Sequence, residues 1–173
     1  MKMIRISATF VLATALGAAA ALAQEPVPAG KFGDWTAYSY KTKKGPVCYI
    51  VSQPVKSTAS RKNIKRDPAF FIVTHRPGDK VKGEVNTIIG YTFRKNAPVK
   101  LRIDATDFIL YPSGDGAWSE GAATDHKITA AMKAGRVMVV TGISARGTKT
   151  VDTYSLSGVT AALKKIGELC KVR

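Results

Sequence analysis

The stretch GISARGTKT, residues 142–150, comes nearest to a recognised chemical motif. Two glycines with four residues between them, followed by Thr148, Lys149 and Thr150, approach the phosphate-binding P-loop. In a P-loop, backbone N–H groups cradle the phosphates and a lysine directly follows the second glycine. Here a threonine intervenes. A P-loop must also run straight into a helix whose N-terminus faces the phosphates. TVDTYSLS (150–157) is instead β-branched and aromatic, the composition of a strand. The stretch is therefore read as the tip of a β-hairpin, with Gly147 supplying a positive φ.

Other chemistries are no better supported. Neither a G-x-S-x-G elbow nor a serine beside a histidine occurs. His75 precedes Arg76-Pro77 at a strand end, and His126 falls in the first turn of a helix, where it is expected in solvent. Twelve acidic residues offer many pairs for glycoside chemistry, but none has a distinctive setting. Asp115 and Trp118 in GDGAW could form a sugar platform, although a glycine-flanked tryptophan more often plugs the end of a sandwich. No catalytic residue, cofactor or metal site is expected.

Cys48 and Cys170 are the two cysteines. In an oxidising compartment an isolated pair forms a structural disulfide; the alternative is two buried thiols. The histidines lie too far off in sequence to complete a metal site, and no C-x-x-C is present. A bond closing so long a loop stabilises by up to about 5 kcal/mol in the chain-entropy model.

The charge is more informative. Twenty-seven Lys and Arg oppose twelve acids, a formal +15. Lys43 and Lys44 fall in one turn, Arg61, Lys62, Lys65 and Arg66 in a long loop, and Arg146 and Lys149 around the hairpin tip. In a sheet fold, turns gather at the two ends, so cations sharing an end add their fields into an anion-binding face. All eight are expected to be free to meet an anionic partner, with solubility as the plainer use of the charge. No aromatic-interleaved RRM or OB pattern accompanies them, so specific nucleic-acid reading is not expected.

The elements that must hold these residues follow from composition and period. Residues 1–23 combine Lys2 and Arg5, an apolar stretch and Ala21-Leu22-Ala23, the architecture of a secretory signal cleaved after Ala23; the alternative is an N-terminal anchor. Nothing later is apolar enough to span a membrane. Residues 24–31 are proline-rich and read as a flexible lead-in, and residues 32–173 as one domain. FGDWTAYSY (32–40), PVCYIVSQ (46–53), AFFIVTH (69–75), EVNTIIGYTF (84–93), VKLRI (99–103), DFILYP (107–112), RVMVVTGI (136–143) and 150–157 read as strands. Residues 54–67 read as a basic loop and 113–121 as a glycine-rich loop around Trp118. TDHKITAAMKAG (124–135) reads as a short helix capped by Thr124 or Asp125. Ser157–Cys170, capped by Ser157, reads as a C-terminal helix with Cys170 on its apolar face. The fold class is mainly β: one antiparallel β-sandwich or barrel-like domain with one short and one C-terminal helix.

FGDW (32–35), CYIVSQP (48–54), RDPAFFIV (66–73), GDGAW (114–118), MVVTGISARGTKTVDTYSLSG (138–158) and the terminal helix with its cysteine together resemble the invasion-associated locus B (IalB) family of exported α-proteobacterial proteins. Many relatives carry further cysteines after FGDW and in mid-chain; this chain has Tyr38 and Tyr40 in the first region, and so looks like a divergent branch whose disulfide is Cys48–Cys170. The resemblance implies a β-rich periplasmic or envelope-associated protein, linked in pathogenic members to host-cell invasion, and it brings no catalytic residues. The expected function is non-enzymatic: binding an anionic envelope or host-surface component through basic loops. The alternative is a small periplasmic enzyme or inhibitor acting on cell-wall glycan or peptide.

Overall fold

The computed structural model describes residues 25–172; the signal expected at residues 1–23 lies outside the described residues. Eleven strands and two helices follow in the order β1 (Val27–Phe32), β2 (Trp35–Thr42), β3 (Gly45–Ser52), β4 (Lys56–Ala59), β5 (Phe70–Arg76), β6 (Val81–Ile88), β7 (Val99–Ile103), β8 (Thr106–Ser113), β9 (Gly116–Trp118), α1 (Ala122–Ala134), β10 (Val137–Ile143), β11 (Lys149–Ser155) and α2 (Val159–Leu169). The strands form one sheet, ordered β1-β2-β3-β5-β6-β9-β8-β7-β10-β11-β4, with every pairing antiparallel. Strand β8 is the seam. Its first half pairs with β7 and its last three residues with β9, so the sheet folds over on itself into two layers.

Period-two alternation decides what fills the space between the layers. In β7 the pattern is buried–exposed over all five residues, sending Val99, Leu101 and Ile103 inward. Ile50, Phe71, Val73 and Val85 of the first layer meet Leu110, Met138, Val140 and Tyr154 of the second in one core cluster. Amphipathic α2 adds Val159, Ala162, Leu163 and Ile166 to it and packs on β1, β2 and β3.

Several expectations need correction. The lead-in expected to be flexible contains β1, which pairs with β2; Pro28 is tolerated because an edge strand leaves one backbone face without a partner. FGDW is a hairpin turn rather than the start of one strand: Phe32 pairs with Trp35, and Gly33 takes φ +55°. The basic loop holds the short strand β4, and the glycine-rich loop holds β9. Trp118 plugs nothing. It pairs across to Tyr111 on the outer face and stays 37% exposed. Helix α1 begins two residues before the expected caps, after Gly121, with no side-chain cap. Asp125 turns inward instead, accepting from the Val85 N–H at 2.9 Å and the Ser119 hydroxyl at 2.6 Å. Ser157 does not cap α2; Gly158 holds that position at φ +87°.

Gly158 also explains why two distant motifs belong together. A Cβ there would overlap the Phe32 carbonyl, and one on Gly33 would lie 2.5 Å from the Ser157 carbonyl. The Asp34 N–H donates to that same carbonyl at 3.1 Å. Buried Trp35 donates from Nε1 to the Ser155 carbonyl at 3.0 Å. The first hairpin is thus latched onto the β11–α2 junction by contacts that only glycine permits.

Candidate functional site

Hairpin β10–β11 is regular from Val137↔Ser155 to Ile143↔Lys149, and residues 144–148 form its tip. Gly147 takes φ +82°, as the turn reading requires. The Ser144 N–H donates to the Thr148 carbonyl, and the Thr148 N–H returns to the Ser144 hydroxyl at 3.1 Å. The tip is fixed to the 91–94 segment by Ala145 N–H to the Thr92 carbonyl and Arg94 N–H to the Ile143 carbonyl. Opposite this tip, the chain leaves β4 and runs through residues 61–66 before β5.

Between the loop and the tip lies a cavity of about 660 Å³. Arg61, Lys62, Lys65, Arg66 and Arg146 line it, so the structure brings together five of the eight expected cations from two separate segments. Its neutral polar lining comes from Asn63, Tyr91, Thr92, Ser144, Thr148 and Thr150. The Tyr91 hydroxyl and Thr150 Oγ1 share a hydrogen bond of 2.6 Å. Burial pushes the Tyr91 phenol up, against the smaller opposing effects of Thr150 and Arg66, so it stays a neutral hydrogen-bonding group. Arg94, absent from the expected set, lies against the tip: a Cβ on Gly147 would stand 2.8 Å from its Nη2.

Arg66 differs from the other four. Its side chain is only 13% exposed, and Nη2 lies 2.8 Å from Oδ1 of the fully buried Asp152. The second Asp152 oxygen has no hydrogen-bond partner among the described residues. Arg66 was expected to be a free surface cation, but a carboxylate taken wholly out of water needs a counter-charge. Arg66 therefore anchors the end of the basic loop to the sandwich interior, while Arg61, Lys62, Lys65 and Arg146 are exposed.

The remaining cations lie elsewhere. Lys43 and Lys44 form the β2–β3 turn beside the 3₁₀ turn Pro77–Asp79, at the opposite end of β5 from the basic loop. Lys44 pairs with Asp79 at 2.7 Å, and Arg76 forks onto Glu84 at 2.9 and 2.8 Å, so that end mixes both signs. Lys149 is exposed at the start of β11, its backbone bonded to Ser60, and does not line the cavity.

The sequence reading missed the polar floor. Its signal was the parity of T-x-D-x-Y: Thr150, Asp152 and Tyr154 share the inward face of β11, and all three are fully buried. A polar residue repeating on the buried parity marks groups that call for partners: Thr150 has Tyr91 and Asp152 has Arg66, while the Tyr154 hydroxyl has none among the described residues.

The other expected pair stands as a disulfide. Cys48 on β3 and Cys170 at the end of α2 are bonded across a separation of 122 residues. His75 lies beside the bond and is buried, its Nδ1 accepting from the Gly83 N–H at 2.8 Å. Burial and the nearby Lys82 and Lys133 hold the imidazole below its usual value, against a smaller opposing effect of the Thr74 backbone. No helix among the described residues is long and apolar enough to cross a membrane.

A family model described as Invasion associated locus B (IalB) protein matches residues 35–167. Among solved structures, invasion associated protein B from Bartonella henselae aligns with a TM-score of 0.59 at 19% identity, over 84% of this chain and 97% of that one. At that identity the likeness concerns the fold. No curated protein matches the chain.

Proposed function

The chain belongs to the invasion associated locus B (IalB) family, and from that premise we propose that it is an exported protein of the periplasm or outer membrane that acts by binding an anionic envelope or host-surface component. One observation carries the reading. Four exposed cations from two chain segments, Arg61, Lys62, Lys65 and Arg146, converge around a hydroxyl-lined cavity, and among the described residues no acid lines it. Like charges gathered at one place repel each other, and an anion seated among them relieves that repulsion. The Thr148 hydroxyl, and the one proton left over by the Tyr91–Thr150 hydroxyl pair, supply neutral donors for the oxygens of a phosphate, sulfate or carboxylate. The disulfide fits an oxidising compartment.

The test reverses the exposed cations and spares the anchor. Arg61→Glu, Lys62→Glu, Lys65→Glu and Arg146→Glu together should abolish retention on heparin and on phosphatidylglycerol vesicles at low ionic strength. Wild-type retention should fall steeply with salt, because exposed charges are screened within about 10 Å at 0.1 M. Lys43→Glu with Lys44→Glu, at the other end of the molecule, should bind nearly as wild type. Retention of the quadruple variant at wild-type strength would refute the assignment.

A further inference from the structure

In a two-layered antiparallel fold the outward face of each layer is expected to be polar. The second layer conforms, with Lys100 and Arg102 at the outward positions of β7. The first does not. In β2, β3, β5, β6 and β9 the inward parity is taken by Ala37, Ile50, Phe71, Val85 and Ala117, all fully buried. On the outward parity, register sets Thr36, Val51, Ile72, Asn86, Trp118 and Tyr111 in one row straight across six strands. The stacked pair Tyr38–Tyr49, with ring centroids 5.3 Å apart, flanks the row on one side, and Phe70 and Ile88 flank it on the other. The Trp118 ring lies over Gly116, where a Cβ would overlap its Cη2, and it stays 37% exposed. None of these residues is charged, in a chain with 27 Lys and Arg. At the borders stand Lys31, opposite Thr36, and the mutually paired Arg76 and Glu84. Neither helix covers this face: Ile128 and Met132 of α1 and Val159 and Ile166 of α2 join the core on the other side.

We infer that two copies of the chain meet through this face, sheet on sheet. Charge selects a second copy. Copies with a large like charge repel, and a face free of cations is where they approach at least cost. A neutral glycan would need polar groups beside the rings, and Val51, Phe70, Ile72 and Ile88 supply none. Composition agrees, since interface cores are enriched in Tyr, Trp and Phe and depleted in Lys and Glu. Area agrees too. Six strands about 4.8 Å apart and three rows about 6.8 Å apart span roughly 25 Å by 20 Å. Two such faces bury on the order of 1,000 Å², the lower bound for a specific interface, so the dimer is weak and reversible, with a Kd on the order of 10 μM or above. The inference is independent of the basic cavity, which shares none of these residues.

Sedimentation equilibrium of the disulfide-bonded exported protein, from about 1 μM to about 500 μM, brackets that affinity and should show a monomer–dimer equilibrium. Raising the salt should tighten the dimer by screening the repulsion between copies, the opposite of its effect on heparin retention. Ile72→Lys, at the centre of the row, and Tyr111→Asp, near its end, should each weaken the dimer at least about thirtyfold. Tyr111 is 53% exposed, so its variant keeps the test in force if Ile72→Lys does not fold. The quadruple variant of the basic cavity should dimerise at least as tightly as wild type. A monomer throughout the range, a dimer that weakens with salt, or wild-type dimerisation by folded Tyr111→Asp would each overturn the proposal. So would a monomer whose Trp118 fluorescence responds to chitohexaose, which would give the face to a glycan.

Discussion

Among the described residues, Arg66 and Asp152 form the only ion pair in which one partner is fully buried, and this sets the weight of each residue in the basic loop. Arg66→Met leaves the carboxylate in the sandwich without its counter-charge. It should cost about 3–5 kcal/mol, or about 6–20 °C of melting temperature for a domain of this size, whereas Lys62→Met should change stability by less than about 0.5 kcal/mol. Thermal unfolding of the two variants checks the contrast, and equal melting points would mean that Asp152 does not depend on Arg66. His75 makes a second prediction. Its native value is lowered, so the unfolded chain binds the proton more readily, and stability falls as the proton is taken up. The contribution is complete above the unfolded value of about 6.5 and is lost as pH falls through the lower native value. Protonating Nδ1 also removes the acceptor used by the Gly83 N–H. Chemical denaturation between pH 7 and pH 5 should show stability declining, and His75→Asn should flatten that slope. An unchanged slope in the variant would assign the pH dependence to other groups.

At the scale of elements, α2 is held at both ends by different means. Its start is latched by the close approach of Gly158 and Phe32, and its end by the disulfide to β3. Removing the disulfide with Cys48→Ala and Cys170→Ala should cost about 2–5 kcal/mol, mostly by releasing the unfolded chain. Because the helix buries Val159, Ala162, Leu163 and Ile166 in the shared core, it should stay docked. Hydrogen exchange should therefore speed up first in the last turn of α2 and leave the β2–β3 pairing protected. Loss of protection throughout β2 and β3 would show that the helix depends on the bond rather than on its apolar face. The elements themselves were largely legible. VKLRI, RVMVVTGI and the terminal helix announce their period, and the hairpin tip at Gly147 follows from what flanks it. β1, β4 and β9 were not legible. Each is short or glycine- and proline-bearing, and its pairing comes from a neighbouring strand rather than from its own propensity.

Over the whole molecule, the excess charge is unevenly used. One end of β5 carries Lys44, Arg76, Asp79 and Glu84 in mutual ion pairs, while the other gathers the cavity cations. The sequence by itself determined the mainly β class, the hairpin at residues 142–150 and the amphipathic helix carrying Cys170. These are matters of local period, turn chemistry and composition, which neighbouring residues dictate. It also placed Arg61–Arg66 and Arg146 outside the strands. Only the tertiary structure decided that these cations meet across one cavity, that Lys43 and Lys44 do not, and that Arg66 turns inward to Asp152, 86 residues away. Such meetings depend on where β8 folds the sheet over and brings β11 opposite the loop before β5. Strand order couples residues far apart in the chain, and no window of local pattern contains it.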